Sequence, residues 1–123
     1  MKYLVLAVIA LPLFALSASP QPAQPTADVR AALEEKLKDP ESARYSDVYV
    51  VQLSELESAA CGWVNSKNSY GGYVGKTRFV VIRLEAVPGK FLSIVQGLET
   101  DEDRKGSTNF FEQMMWQPNC KKK

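Results

Sequence analysis

Acidic side chains are the first candidates for chemistry in this sequence, because its 123 residues include no histidine. The absence of imidazole excludes serine–histidine hydrolysis and histidine-based metal sites. Two carboxylates can hydrolyse a bond by acid–base catalysis, and the candidates are Glu55 with Glu57 and the run 99–103. These acids lie in polar stretches expected to be exposed, which does not favour a general acid. We therefore predict no catalytic residue, and a carboxylate-dependent hydrolase of the cell envelope is the alternative function.

A glycine- and asparagine-rich segment, residues 67–75, is the second candidate. It does not match the phosphate-binding patterns GxGxxG or GxxxxGK[ST], and the residues that follow it read as a strand rather than a helix. No cofactor, nucleotide or metal is therefore predicted. Loops often carry binding residues, and tyrosine is enriched at protein interfaces. The hypothetical binding surface consists of Trp63, Asn65, Lys67, Asn68, Tyr70 and Tyr73. The alternative is that the tyrosines cover the edge of the core while the asparagines and glycines shape turns.

The composition is that of one globular domain, with 46% hydrophobic and 24% charged residues. The 15 basic residues are nearly balanced by 14 acidic ones. Because such a chain has no long-range positive field to hold phosphates, nucleic acid is not expected as a partner.

The first 18 residues read as a secretory signal peptide. Lys2 precedes an apolar run over 3–16, and small residues follow before a proline-rich linker at 19–25. Cleavage is expected after Ala18 or Ser17, with Ala23 as a less favoured site. The alternative is an uncut membrane anchor, but the run is shorter than the ~20 residues needed to span a bilayer. We therefore expect a periplasmic or secreted protein with no membrane span after cleavage.

The two cysteines, Cys61 and Cys120, are predicted to form one disulfide bond. An even pair in an exported protein favours this interpretation. The alternative is a reactive or metal-binding thiol, but there is no C-x-x-C motif and two thiolates alone make a poor zinc site.

The elements before the loop are predicted from hydrophobic periodicity. After Thr26, an apolar stripe at Val29, Leu33 and Leu37 predicts a helix that Asp39-Pro40 ends. The same pair predicts a brief second helix over 40–44. Strands are then expected around 48–53 and over 61–66.

The elements after the loop begin with the clearest strand, over 77–86, which a type II turn at 87–90 connects to an antiparallel strand over 91–95. Residues 99–106 are expected to be a charged loop. A last helix is predicted to begin with Asn109 as its cap and to end at Pro118, so that Cys120 lies just past it. Its apolar stripe consists of Phe110, Phe111, Met114 and Met115. The prediction is an α+β domain over 26–120, with an antiparallel sheet of three to four strands, a helix at each end and a lysine tail at 121–123.

Two segments carry a resemblance to a known family. LKDPESARY at 37–45 and CGWVNSKNSYGGYVG at 61–75, followed by Arg78-Phe79, resemble a largely uncharacterised family of small exported or lipoprotein domains of Gram-negative bacteria, with the pattern LKDPxSAxF and then CGxVNxKNxxGGYxG. The resemblance covers roughly 30–120 and supports pairing Cys61 with Cys120, but it implies no activity. Trp63 replaces a more commonly polar residue, and no lipid-attachment cysteine is present, which favours a soluble periplasmic location.

Together these features predict a non-enzymatic protein-binding module of the periplasm. An inhibitor or immunity-like role and an accessory role in an envelope assembly are both compatible with it. The expected partner is a protein or a cell-envelope component.

Overall fold

A computed structural model describes residues 23–121 of the chain. The elements are α1 (Ala27–Glu34), β1 (Asp39–Gln52), β2 (Glu57–Lys67), β3 (Thr77–Val87), β4 (Lys90–Leu98), α2 (Asp101–Lys105), a π-helical segment (Glu112–Trp116) and α3 (Gln117–Cys120). We call residues 112–120 the C-terminal helical segment. The predicted signal peptide, linker residues 19–22 and the last two lysines lie outside the described residues. The predicted α+β class is confirmed: the antiparallel sheet, expected to have three to four strands, has four, and there is a helix at each end.

The four strands form one antiparallel sheet in the order β1-β2-β3-β4, so each strand pairs with its neighbour along the chain. The predicted hairpin of β3 and β4 is present, and Gly89 at its turn has φ 78°. A type II turn needs a positive φ at its third position, which glycine adopts without a steric penalty. The strand predicted over 61–66 is also present, as the centre of β2.

Helices cover both faces of the two central strands, β2 and β3. On one face, Val29 and Leu33 of α1 pack on a core that includes Phe79 and Val81. On the other face, Phe111 and the disulfide between Cys61 and Cys120 form a second core; its other members include Ala59 and Val80. Because β2 and β3 are buried on both faces, they form the rigid base from which the β2–β3 loop projects.

The brief helix predicted over 40–44 is wrong, because these residues begin β1, which is 14 residues long. Asp39 pairs with Lys67 of β2, and the Oγ of Ser42 accepts a hydrogen bond from the Lys67 N–H at 2.8 Å. An edge strand tolerates proline and irregular register, and β1 shifts register between Asp39 and Arg44. Tertiary pairing therefore overrides the local helix signal at Pro40.

The charged loop predicted over 99–106 contains a short helix instead. Thr100 caps α2 through a capping box with Asp103, in which each side chain accepts a hydrogen bond from the other residue's backbone N–H. Glu99, immediately before this helix, is buried rather than solvated.

The last helix begins as predicted, since the Asn109 side chain accepts a hydrogen bond from the Glu112 N–H at 2.9 Å. Pro118 does not end it: the helical structure continues to Cys120. Proline lacks an N–H to donate back along the helix, and the bonding here widens to a π pattern in which the Gln117 N–H reaches the Glu112 carbonyl. Of the predicted apolar stripe, Phe111 is buried, Met115 is half-buried, and the remaining two, Phe110 and Met114, are exposed.

Candidate functional site

The loop between β2 and β3 is shaped by its asparagines. The Oδ1 of Asn68 accepts hydrogen bonds from the N–H groups of Tyr70 and Gly72, at 2.9 and 3.2 Å. The Oδ1 of Asn65 accepts from the N–H of Gly75 at 3.1 Å. Both amides therefore have the turn-shaping role that the sequence left open as an alternative, and they fix the path of the loop.

Tyr73 ties this loop back to the edge of the sheet. Its hydroxyl donates to the carbonyl oxygen of Ser42 at 3.1 Å, and its backbone forms an isolated β-bridge with Lys67. The Arg44 guanidinium carbon lies 4.5 Å from the centre of the Tyr73 ring, and the Lys67 Nζ lies 5.6 Å from it. Both distances are within the range of a cation–π interaction. The ring therefore holds two cations at one end of the sheet.

Tyr70 lies at the tip of the same loop and is almost wholly solvent-exposed. Its residue accessibility is 97%. The hydrogen bonds of Asn68 hold its backbone, so the ring is presented on a fixed turn. Exposed aromatic side chains on such turns are typical anchors at protein interfaces.

A shallow cleft of about 300 Å³ lies beside the loop. It is lined mainly by apolar atoms, and its residues are Lys36, Leu37, Lys38, Ser66, Lys67, Asn68 and Val74. Within residues 23–121, no carboxylate lies within 4.0 Å of the side-chain nitrogens of Lys36, Lys38, Lys67 or Arg44. The cleft is therefore an apolar groove with unpaired cations at its rim.

We call Lys36, Lys38, Arg44, Lys67, Tyr70 and Tyr73 the loop-end surface. The sequence identified its last three members. It missed Lys36 and Lys38 because it predicted a helix that continues to Asp39-Pro40. That end is wrong: α1 ends at Glu34, and the pairing of Asp39 with Lys67 brings the residues after it to the loop. It missed Arg44 because the wrongly predicted short helix included that residue.

Trp63, also a predicted site residue, has a different environment. It lies on the same face of β2 as Asn65 and Lys67 by strand alternation, but its half-buried ring lies 5.8 Å from the Arg78 guanidinium carbon. The same guanidinium lies 4.8 Å from the ring of Trp116 in the C-terminal helical segment. Trp63 therefore takes part in a cluster that joins the sheet to this segment rather than in the loop-end surface.

Two carboxylates, Glu99 and Glu112, meet at Arg78. Each accepts a hydrogen bond from a different terminal nitrogen of its guanidinium, and the Glu99 side chain is only 3% exposed. Burial opposes ionisation of Glu112, but hydrogen bonds from Gln117 and Arg78, and the charge of Arg78, hold its pKa below the usual value. A general acid requires a raised pKa, so Glu112 is held as an ion-pair partner of Arg78 and not as a general acid.

The other carboxylates singled out in the sequence have different partners from this pair, apart from Asp101, which shares Arg104 with Glu99. Glu55 is exposed in the turn between β1 and β2, and Glu57 is half-buried at the start of β2. In α2, a hydrogen bond from Arg104 and its charge lower the pKa of the exposed Asp101. Hydrogen bonds from the Thr100 backbone and side chain lower the pKa of Asp103.

Comparisons with protein-family models, curated protein sequences and solved structures find no match to this chain. Among residues 23–121, no helix is both long and apolar enough to cross a membrane. The same residues contain no group of three or more cysteine, aspartate or glutamate side chains placed to hold a metal ion.

Proposed function

We propose that this protein is a small exported binding module that recognises a negatively charged protein or cell-envelope component through the loop-end surface. The observation that carries the proposal is the combination of an exposed tyrosine with four cations that have no carboxylate partner. An inhibitor or immunity-like role and an accessory role in an envelope assembly are both compatible with such a surface.

The charge of this surface supports an anionic partner. A lysine or arginine without a carboxylate partner within the protein can bind an external carboxylate or phosphate without first breaking an internal ion pair. Arg44 can also present its planar guanidinium to such a group while it stacks on Tyr73. The apolar lining of the cleft adds contact area for the uncharged part of the partner.

The rigidity of the surface supports recognition rather than loose adsorption. Asn65 and Asn68 fix the loop backbone, and Tyr73 holds the loop against β1. A surface that is already ordered loses less conformational entropy when a partner binds. Tyr70 can therefore act as a preformed anchor.

Location outside the cytoplasm is part of the proposal. The predicted leader and the disulfide between Cys61 and Cys120 support it, because such bonds persist mainly in oxidising compartments.

The alternative, a carboxylate-dependent hydrolase, has weaker support. The carboxylates that share Arg78 are held as its ion-pair partners, and the pKa of Glu112 is shifted in the direction opposite to that of a general acid. The known two-carboxylate mechanism needs one acid that stays protonated near neutral pH. The geometry therefore favours the binding module.

The experiment is a capture assay with the purified protein immobilised and exposed to a cell-envelope extract. Two variants remove the proposed contacts: Tyr70→Ala removes the exposed ring, and Lys36→Glu/Lys38→Glu reverses the charge at the cleft. We expect each variant to retain about five-fold less of the captured partner, and we expect salt to weaken capture by the wild type.

Matched controls come from other parts of the surface. Phe110→Ala removes another exposed aromatic ring, and Lys90→Glu reverses an exposed charge at the turn between β3 and β4. Both controls should capture the partner as the wild type does. If the two loop-end variants retain the same partners in the same amounts as the wild type, the proposal is wrong.

A further inference from the structure

The outer edge of β4 is an unpaired strand edge whose sequence differs from that of the other edge. In the order β1-β2-β3-β4, strands β1 and β4 are the two edges. Natural edge strands usually carry charges, prolines or irregular register, which prevent pairing with another chain. β1 has all three: Pro40, four charged residues and two register shifts. β4 has no charged residue and no proline after Lys90.

The backbone of residues 91–95 is available along this edge. β4 pairs with β3 on its inner side, and within residues 23–121 no hydrogen bond reaches its outer backbone groups. Within β4 the regular pairing is interrupted at Gln96, an extra residue between Val95, which pairs with Val81, and Gly97, which pairs with Val80. There the Gln96 side chain accepts a hydrogen bond from Asn119 of the C-terminal helical segment at 2.8 Å. Residues 91–95, before this point, pair regularly with β3, and α1 packs against them on one face of the sheet, where the Ser93 hydroxyl donates to the Asp28 carboxylate.

An apolar surface continues from the open edge. Leu92 and Ile94 are 58% and 56% exposed, although both lie on the sheet face that the C-terminal helical segment covers further along. Their cross-strand neighbours on β3 are Leu84, which is also exposed, and the half-buried Ile82. The helical segment thus leaves this end of the sheet face uncovered, directly beside the free edge.

We propose that β4 pairs with β4 of a second copy of this chain, antiparallel and centred on Ser93, to form a dimer with a continuous eight-stranded sheet. The sequence Phe-Leu-Ser-Ile-Val over 91–95 is the reason for choosing this occupant. Antiparallel pairing about Ser93 sets Leu92 opposite Ile94 and Phe91 opposite Val95. Such aliphatic and aromatic cross-strand pairs stabilise a sheet.

The symmetry of this pairing joins the two apolar surfaces. A two-fold axis perpendicular to the sheet keeps the same face of both copies on the same side. Leu92 and Ile94 of both copies then form one apolar patch at the centre of the joined sheet, where the side chains of each copy partly bury those of the other away from water. Like charges do not meet in the paired segment, because residues 91–95 carry none.

Sedimentation equilibrium of the purified protein at concentrations up to about 100 µM tests the proposal, since a micromolar dimer is populated there. We expect the wild type to dimerise. Ile94→Lys places a charge beside the axis and should raise the dissociation constant about ten-fold or more. The matched control, Leu56→Lys, changes a residue that is 62% exposed near the β1–β2 turn and should leave the dimer unchanged.

A cysteine pair tests the register. In the Leu92→Cys/Ile94→Cys variant, the new cysteine at position 92 of one copy faces the new cysteine at position 94 of the other. Covalent dimers should therefore form on oxidation and disappear with reductant. Circular dichroism checks that both variants remain folded, and Leu92→Lys replaces Ile94→Lys if that variant does not fold. A monomer at every concentration, or equal weakening by Leu56→Lys, would overturn the proposal. The test does not involve the loop-end surface, so it can fail while the proposed function stands.

Discussion

Removal of the disulfide between Cys61 and Cys120 should weaken the whole fold and release its C-terminal end first. The bond joins the centre of β2 to the last residue of α3, and both cysteines are buried. The other polar attachments of the C-terminal helical segment to the sheet are single contacts: the Arg78–Glu112 pair, the Tyr49 hydroxyl, which donates to the Cys120 carbonyl at 2.7 Å, and the Asn119 side chain, which donates to that of Gln96. The bond is therefore the strongest restraint on this segment.

The expected loss follows from the loop that the bond closes. The two cysteines are separated by 59 positions, and closing a loop of that length lowers the entropy of the unfolded chain by an amount worth about 4 kcal/mol. A domain of this size has a free energy of unfolding of about 5–15 kcal/mol. The reduced protein should thus remain folded but lose a large fraction of its stability.

Urea unfolding of the oxidised and reduced protein measures this difference. The fluorescence of Trp63 and Trp116 reports on it, because both rings lie near Arg78 between the sheet and the C-terminal helical segment. Hydrogen exchange should show the greatest loss of protection over 112–120. Reductant added to a Cys61→Ala/Cys120→Ala variant is the control and should have no effect. A difference below about 1 kcal/mol between the oxidised and reduced protein would refute the chain-entropy argument.

Two ion pairs give further predictions. Arg78→Met should lower the free energy of unfolding by about 3 kcal/mol, because it leaves the buried Glu99 with the more distant Arg104, at 3.6 Å, and also removes the partner of Glu112. A loss no larger than that of Lys90→Met in urea unfolding would contradict this. Asp28→Asn should change the pH dependence of stability. Burial alone would raise the pKa of Asp28, but hydrogen bonds from Arg83 and a serine hold it far below 3.8. The stabilisation by the ionised Asp28 is complete above the usual carboxyl pKa and is lost as the pH falls through the lowered pKa of the folded protein. The free energies of unfolding of wild type and variant should therefore differ by about 2 kcal/mol at pH 7, and this gap should narrow toward pH 2. A gap that is constant with pH would contradict this assignment.

The parts of the fold that the sequence predicted correctly are those with a strong local signal. The helix after Thr26 has a clear apolar stripe, and the hairpin of β3 and β4 has β-branched strands around a Pro-Gly turn. The disulfide followed from the cysteine count. Each of these features is determined by residues close together in the chain or, for the disulfide, by a residue type that occurs only twice.

The parts that it missed depend on contacts between distant residues. Pro40 favours a helix start locally, but pairing with β2 incorporates its segment into β1. Glu99 is in a charged stretch, yet it is buried because Arg78 of β3 neutralises it. The cleft brings the residues after α1 next to the β2–β3 loop. No local pattern encodes these contacts, so half of the loop-end surface could not be predicted.

The nearly balanced charge of the chain does not mean that every cation has an anionic partner within the protein. Every ion pair within residues 23–121 involves one of three arginines, Arg78, Arg83 or Arg104. The four cations of the loop-end surface have no part in these pairs, so each of them can bind an external anion without first breaking an internal ion pair. A net charge near zero therefore excludes a long-range field but not a local site for an anion, because short-range binding depends on which charges are paired. The partner chemistry proposed here follows from that pairing, which only the folded chain determines.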